Sequence, residues 1–131
     1  MNRSSLAVAV ALFTLLALAL GDEAAKKPAA EKAVTVKGYV LDSACAFTKG
    51  LKKPISSECA TMCAKAGSPL VIMTPAGEFY WPISADMPST EQNTKLLPFA
   101  GKMVTATGKV YKRGGSEAIV IDHVEALVAA K

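Results

Sequence analysis

The chain has 131 residues, and its 15 Lys and Arg against 11 Asp and Glu give a formal net charge of +4. This mildly basic charge is spread along the sequence, whereas a nucleic-acid-binding domain concentrates Lys and Arg on one face. We therefore expect no nucleic-acid partner.

The first 21 residues have the pattern of a secretory signal peptide. Arg3 and the terminal amine form a basic start, an apolar run extends over residues 6–20, and Ala19-Leu20-Gly21 offers small residues for cleavage. The run is shorter than the about 20 apolar residues of a membrane-spanning helix. We predict a signal peptide at 1–21 and export to the periplasm or the medium, and an uncleaved N-terminal anchor is the alternative.

Residues 22–33 read DEAAKKPAAEKA. They contain no β-branched or aromatic residue and cannot bury much apolar surface, so we predict a disordered linker. The remaining segment, 34–128, has the length of a single domain with a modest core.

Five strands are predicted in this domain from the alternation of apolar and polar residues. In the first strand, Val34, Val36 and Val40 share one face with Gly38. The predicted strands cover residues 34–42, 70–74, 78–83, 102–112 and 117–127.

Two helices are predicted between these strands. The first covers residues 56–66, because Ser56 or Ser57 is placed to cap it and Gly67 to end it. The second begins at Ser89, which with Gln92 has the spacing of a capping box, and ends near Leu97.

The predicted order is strand, helix, strand, strand, helix, strand, strand. Without the first helix this is the order of the OB-fold, a five-stranded Greek-key barrel. Gly108 would allow the fourth strand to bend sharply at a barrel corner. We predict a mainly β, α+β domain: an OB-like barrel with a cysteine-bearing helix inserted between strands 1 and 2. An open mixed α+β sheet is the alternative.

Four motifs between residues 36 and 124 carry a family resemblance. They are Asp42-Ser43-Ala44-Cys45, the spacing of Cys59 and Cys63, Gly67-Ser68-Pro69-Leu70, and the stretch from Ala100 to Gly108. With them the domain resembles a group of small exported bacterial proteins of uncharacterised function with an OB-like barrel. Many members have Gly and then His soon after the first Cys, whereas this chain has Ala46, Phe47 and Thr48. The resemblance implies the fold and no particular activity.

The three cysteines, Cys45, Cys59 and Cys63, carry most of the chemistry that the sequence suggests. In an exported protein a disulfide is the first expectation, and an odd number leaves one thiol over. Cys59 and Cys63 are four apart on one helix, where a bridge would be strained. We favour a Cys45–Cys63 disulfide slightly over Cys45–Cys59. Such a bond would hold the helix to the end of the first strand.

A thiolate metal site is the first alternative. Three sulfur ligands suit Cu(I) or Zn(II), and the additional ligands that we considered are Asp42, Met62, Met73 and His123. Asp42 is also expected to cap the turn after the first strand. A redox-active thiol is the second alternative, disfavoured because the chain has no Cys-x-x-Cys motif and no nearby His.

Two further groups could form a binding surface. In the third strand Phe79 and Trp81 are expected on one face and Tyr80 on the other. The basic cluster Lys49, Lys52 and Lys53 precedes the cysteine helix and could contact an anionic lipid or glycan.

The sequence contains no Ser-His-Asp set, no HExxH motif and no phosphate-binding loop. We therefore predict a small exported binding or structural module and not an enzyme. Its expected partner is a small molecule, a metal ion or an envelope protein, and we expect a monomer.

Overall fold

A computed structural model describes residues 33–128. The predicted signal peptide and all but the last residue of the predicted linker lie outside the described residues. Five strands are present: β1 (Ala33–Asp42), β2 (Leu70–Met73), β3 (Phe79–Pro82), β4 (Met103–Arg113) and β5 (Ser116–Ala126). Three helices, α1 (Ser43–Thr48), α2 (Ser57–Lys65) and α3 (Gln92–Leu96), and the 3-10 turn Leu97–Phe99 complete the domain.

The strands close into a barrel in the order β1-β2-β3-β5-β4. β1 pairs antiparallel with β2 on one side and with β4 on the other, and β3 pairs parallel with β5. This is the OB-type Greek-key arrangement. The predicted barrel is therefore confirmed, as is the helix between the first two strands.

A β-bulge bends β4 where the sequence has Gly108. The pairing of β4 with β5 shifts register between Thr107 and Gly108. A Cβ atom at Gly108 would collide with the carbonyl oxygen of Val120 on β5. The glycine thus lets the two backbones approach at the bend, as expected of a barrel corner.

Apolar side chains form two clusters on opposite faces of the barrel wall. Neighbouring residues of β1 show this, since Val40 belongs to the main cluster and Leu41 to the other. The main cluster fills the barrel and the end covered by α2. The second, which we call the outer cluster, consists of Leu41, Ala46, Val71 and Met73. Because Ala46 lies in α1, this short helix packs against the outer face of β1 and β2.

The second predicted helix begins later than expected, after Glu91. Ser89 does not cap it. Its hydroxyl accepts a hydrogen bond from the backbone nitrogen of Ser84 (2.9 Å), and the Gln92 amide donates to the Ser84 hydroxyl (2.7 Å). The two residues thus close a loop with Ser84 in place of the predicted capping box.

None of the helices in residues 33–128 is long and apolar enough to span a bilayer.

Asn93 in α3 ties α2 to the start of β2. Its side-chain oxygen accepts from the Leu70 nitrogen (2.8 Å), and its amide nitrogen donates to the carbonyl oxygens of Ser68 (2.7 Å) and Ala64 (3.3 Å). No sequence pattern indicated this role.

Replacing this side chain should therefore weaken the fold. Asn93→Ala would leave partly buried backbone groups unpaired, so we expect the free energy of unfolding to fall by about 1–3 kcal/mol. Urea denaturation measures the change, with Thr94→Ala, at an exposed neighbour, as the control. Equal stability of the two variants would contradict the role of Asn93.

Candidate functional site

The site begins with Asp42, the last residue of β1 and one of the few buried polar residues. Its Oδ1 accepts hydrogen bonds from the Cys45 backbone nitrogen (3.0 Å) and from the Ser68 hydroxyl (3.1 Å). The first bond makes Asp42 the N-cap of α1, which confirms the expected cap after the first strand. The second holds the loop after α2 next to the end of β1.

Two helices bring the cysteines to this carboxylate. Cys45 lies in α1, and Cys59 and Cys63 lie in α2, which Ser56 caps by accepting from the Cys59 nitrogen (3.0 Å). One carboxylate oxygen of Asp42 and the sulfurs of Cys45 and Cys63 all lie within 4.8 Å of one another. The thiols of Cys59 and Cys45 also act on the pKa of the Cys63 thiol.

The hydrogen bonds in this group set its protonation. The Cys45 thiol donates to the Asp42 carboxylate, which, together with burial, raises the pKa of Cys45 to about 11. Burial, followed by the negative charge of Asp42, raises the pKa of Cys63. Burial alone would raise the pKa of Asp42, but hydrogen bonds from Cys45 and Ser68 hold it below its ordinary value. Near neutral pH the group is therefore one carboxylate beside two protonated thiols.

The predicted disulfide is not present in the structure, where all three cysteines are free thiols. Cys45 and Cys63, the favoured pair, are nevertheless the two whose sulfurs join the group around Asp42. A bond between them would require the sulfurs to approach to about 2.05 Å.

The donor atoms fit a small thiophilic metal ion. In a tetrahedral zinc site with Zn–S bonds of about 2.3 Å, neighbouring sulfurs are about 3.8 Å apart, so a contraction of about 1 Å would complete the geometry. A gap of about 10 Å³, lined by Asp42, Cys45 and Cys59 with five apolar or proline side chains, lies beside the group. Such a gap corresponds to a single water-sized sphere.

The other predicted ligands are placed elsewhere. Met62 lies on α2 next to Cys63, but 71% of it is exposed. Met73 is buried in the outer cluster and lies three residues along β2 from Leu70, the partner of Asp42, a separation of about 10 Å. His123 is exposed on β5 with its Nε2 3.6 Å from Glu125.

The predicted binding surface is divided between the two faces of β3, as expected. Phe79 and Trp81 pack against the outer cluster, whereas Tyr80 packs against the main cluster. Phe47 was not among the predicted residues of this surface, yet its ring stacks on Phe79 with centroids 4.8 Å apart and an interplanar angle of 16°. No sequence pattern indicated a role for Phe47, because α1 was not predicted.

The three lysines of the basic cluster follow α1, with Lys49 as its C-cap and exposed side chains at Lys49, Lys52 and Lys53. The charge of Lys49 acts on Cys45 and partly offsets the effect of Asp42 on its pKa. The cluster thus borders the cysteine group and leaves its lysines accessible to solvent.

The chain was compared with protein-family models, with curated proteins and with solved structures, and none of them matched. Inferences about its chemistry therefore rest on the geometry of its own residues.

Proposed function

We propose that this protein binds a thiophilic metal ion through Cys45, Cys63 and Asp42, with Cys59 as the fourth ligand. The observation that carries the proposal is the convergence of a carboxylate and two sulfurs within 4.8 Å from the end of β1, α1 and α2. Cys59 lies outside this group, but it lines the small gap beside Asp42 and Cys45, from which it would approach the ion. Soft sulfur ligands together with one oxygen ligand are a donor set that zinc accepts.

The carboxylate favours Zn(II) over Cu(I). Asp42 is ionised at neutral pH because its pKa is lowered, and a charged oxygen ligand suits zinc better than the soft Cu(I) ion, which prefers sulfur alone. Cu(I) would be held by the three sulfurs, with Asp42 as their hydrogen-bond partner.

Four protein ligands would leave no open position on a tetrahedral ion, which is the property of a structural or storage site. The ion would join α1 to α2, which are separate segments of the insertion between β1 and β2. In the oxidising compartment that the predicted signal peptide implies, bound metal would also keep the three thiols from pairing.

A calorimetric titration of the reduced, metal-free domain with Zn(II) tests the proposal. We expect one ion per chain, and we expect Cys45→Ser and Cys63→Ser each to weaken binding at least about a hundredfold, since each removes a thiolate ligand. Met62→Leu is the matched control, because this exposed side chain is next to Cys63 in sequence and should leave the affinity unchanged.

Protein isolated without reduction or metal removal distinguishes the disulfide alternative. If the protein isolated from the periplasm carries no metal and only one thiol reacts after denaturation, the metal proposal is wrong. Two of the cysteines then form a disulfide, for which Cys45–Cys63 is the favoured pair. The protein would then be a binding or structural module with a disulfide-anchored helix.

The redox alternative receives less support. A reactive cysteine needs a lowered pKa so that its thiolate is populated, whereas the pKa of Cys45 is raised to about 11 and that of Cys63 is also raised. Both thiols should react slowly with an alkylating reagent at neutral pH.

A further inference from the structure

A cleft of about 320 Å³ lies between α1 and the turn that joins β4 to β5. The rings of Phe47, Phe79 and Trp81 line it together with Glu78 and Glu117. Its volume is at the lower end of the range for small-molecule sites, about 300–1,000 Å³. The cleft therefore has room for one small molecule or one headgroup. It is separate from the cysteine group.

The three aromatic side chains that line this cleft stack, with Phe47 over Phe79 and Trp81. Phe47 is nearly parallel to Phe79 and to Trp81, with interplanar angles of 16° and 18°, and its centroid is 6.2 Å from that of Trp81. Phe47 is 62% exposed, so the stacking leaves much of its surface open. The faces of aromatic rings carry partial negative charge.

The charged groups of the cleft have the same sign. Two carboxylates line it, and none of the described residues that line it has a basic side chain. Glu117 is paired with Lys112 (2.6 Å), and the hydrogen bonds from Lys112 and Tyr80 lower its pKa. Glu78 is exposed at the rim. Because Lys112 offsets the charge of Glu117, the carboxylate of Glu78 is the group that would attract a cation to this lining.

We propose that this cleft binds a small organic cation of the quaternary ammonium class. Such a cation gains from ring faces within about 6 Å and has an apolar surface that packs on them, while Glu78 supplies the opposite charge. The site goes beyond the proposed metal binding and does not depend on it.

Trp81 gives a direct readout, because it is the single tryptophan of the chain. The folded protein is titrated with choline and with 3,3-dimethyl-1-butanol, a neutral molecule of the same shape. We expect a saturable change in Trp81 fluorescence with choline. The dissociation constant of the neutral analogue should be about two- to fivefold larger. Added salt should weaken choline binding, because the rim carboxylate is exposed.

Variants then test the lining. Phe47→Leu and Glu78→Gln should each weaken choline binding about two- to fivefold, while Glu125→Gln, at an exposed position on β5, should not. Thermal unfolding of each variant confirms that it is folded. The proposal is overturned if choline gives no saturable change, if the neutral analogue binds equally well, or if glucose binds more tightly than choline, which would assign the cleft to carbohydrates.

Discussion

The affinity for Zn(II) is expected to rise at least about a hundredfold for each unit of pH between about pH 6 and 8. A cysteine binds metal as the thiolate, so each protonated thiol must release its proton. The pKa of Cys45 is about 11 and that of Cys63 is raised, so both are protonated throughout this interval. Two released protons give a tenfold change each per pH unit, and any proton that Cys59 releases on binding adds to this change. Protons compete with the metal, so affinity increases with pH.

Asp42 should contribute nothing to this slope, because its lowered pKa keeps it ionised over the whole interval. Cys45→Ser should remove one of these protons and lower the slope by about a factor of ten per unit. Calorimetry in buffers of different ionisation enthalpy counts the protons directly. A pH-independent affinity would show that Cys45 and Cys63 are not the ligands.

Gly108→Ala is expected to destabilise the domain by about 3 kcal/mol or more. Overpacking a core costs about 1–3 kcal/mol where side chains can move aside. Here the added methyl group would meet the backbone carbonyl of Val120, which can move only if the pairing of β4 with β5 is disturbed. The free energy of unfolding from urea denaturation measures the loss.

Gly114→Asn is the matched control. Gly114 has a φ of 58° in the turn between β4 and β5, with nothing within 4 Å of an added Cβ, and Asn tolerates this left-handed conformation better than most residues. We expect a change of less than about 1 kcal/mol. A similarly small loss for Gly108→Ala would mean that the barrel relaxes at this bend more easily than its close packing suggests.

The insertion between β1 and β2 covers part of the barrel's outer face. OB-folds commonly bind ligands on the face of strands 2 and 3 and with the neighbouring loops. Here α1 packs on the outer face of β1 and β2 through Ala46, and Phe47 stacks on Phe79 at the edge. The chain therefore covers part of this face itself, and the cleft beside Phe47 is the part left open.

The order of the strands, the cysteine-bearing helix α2 and the bend at Gly108 could be predicted from the sequence. These features depend on local signals: the alternation of apolar residues along β1, the capping serines and Gly67 around α2, and a glycine in an otherwise regular strand. Each signal acts through the geometry of a few consecutive residues. The presence of three cysteines in one connection also pointed to the region of the candidate site.

Only the tertiary structure decided which side chains meet. The six residues of α1 make fewer than two helical turns, which is too short to show a repeating apolar pattern. The helix, and with it the position of Phe47, was therefore not predictable from the sequence. Asp42 and Cys63 are brought together because Ser68 and Asn93 hold the end of α2 against β1 and β2. Contacts between residues more than 20 positions apart depend on how the elements pack, and no local pattern records them.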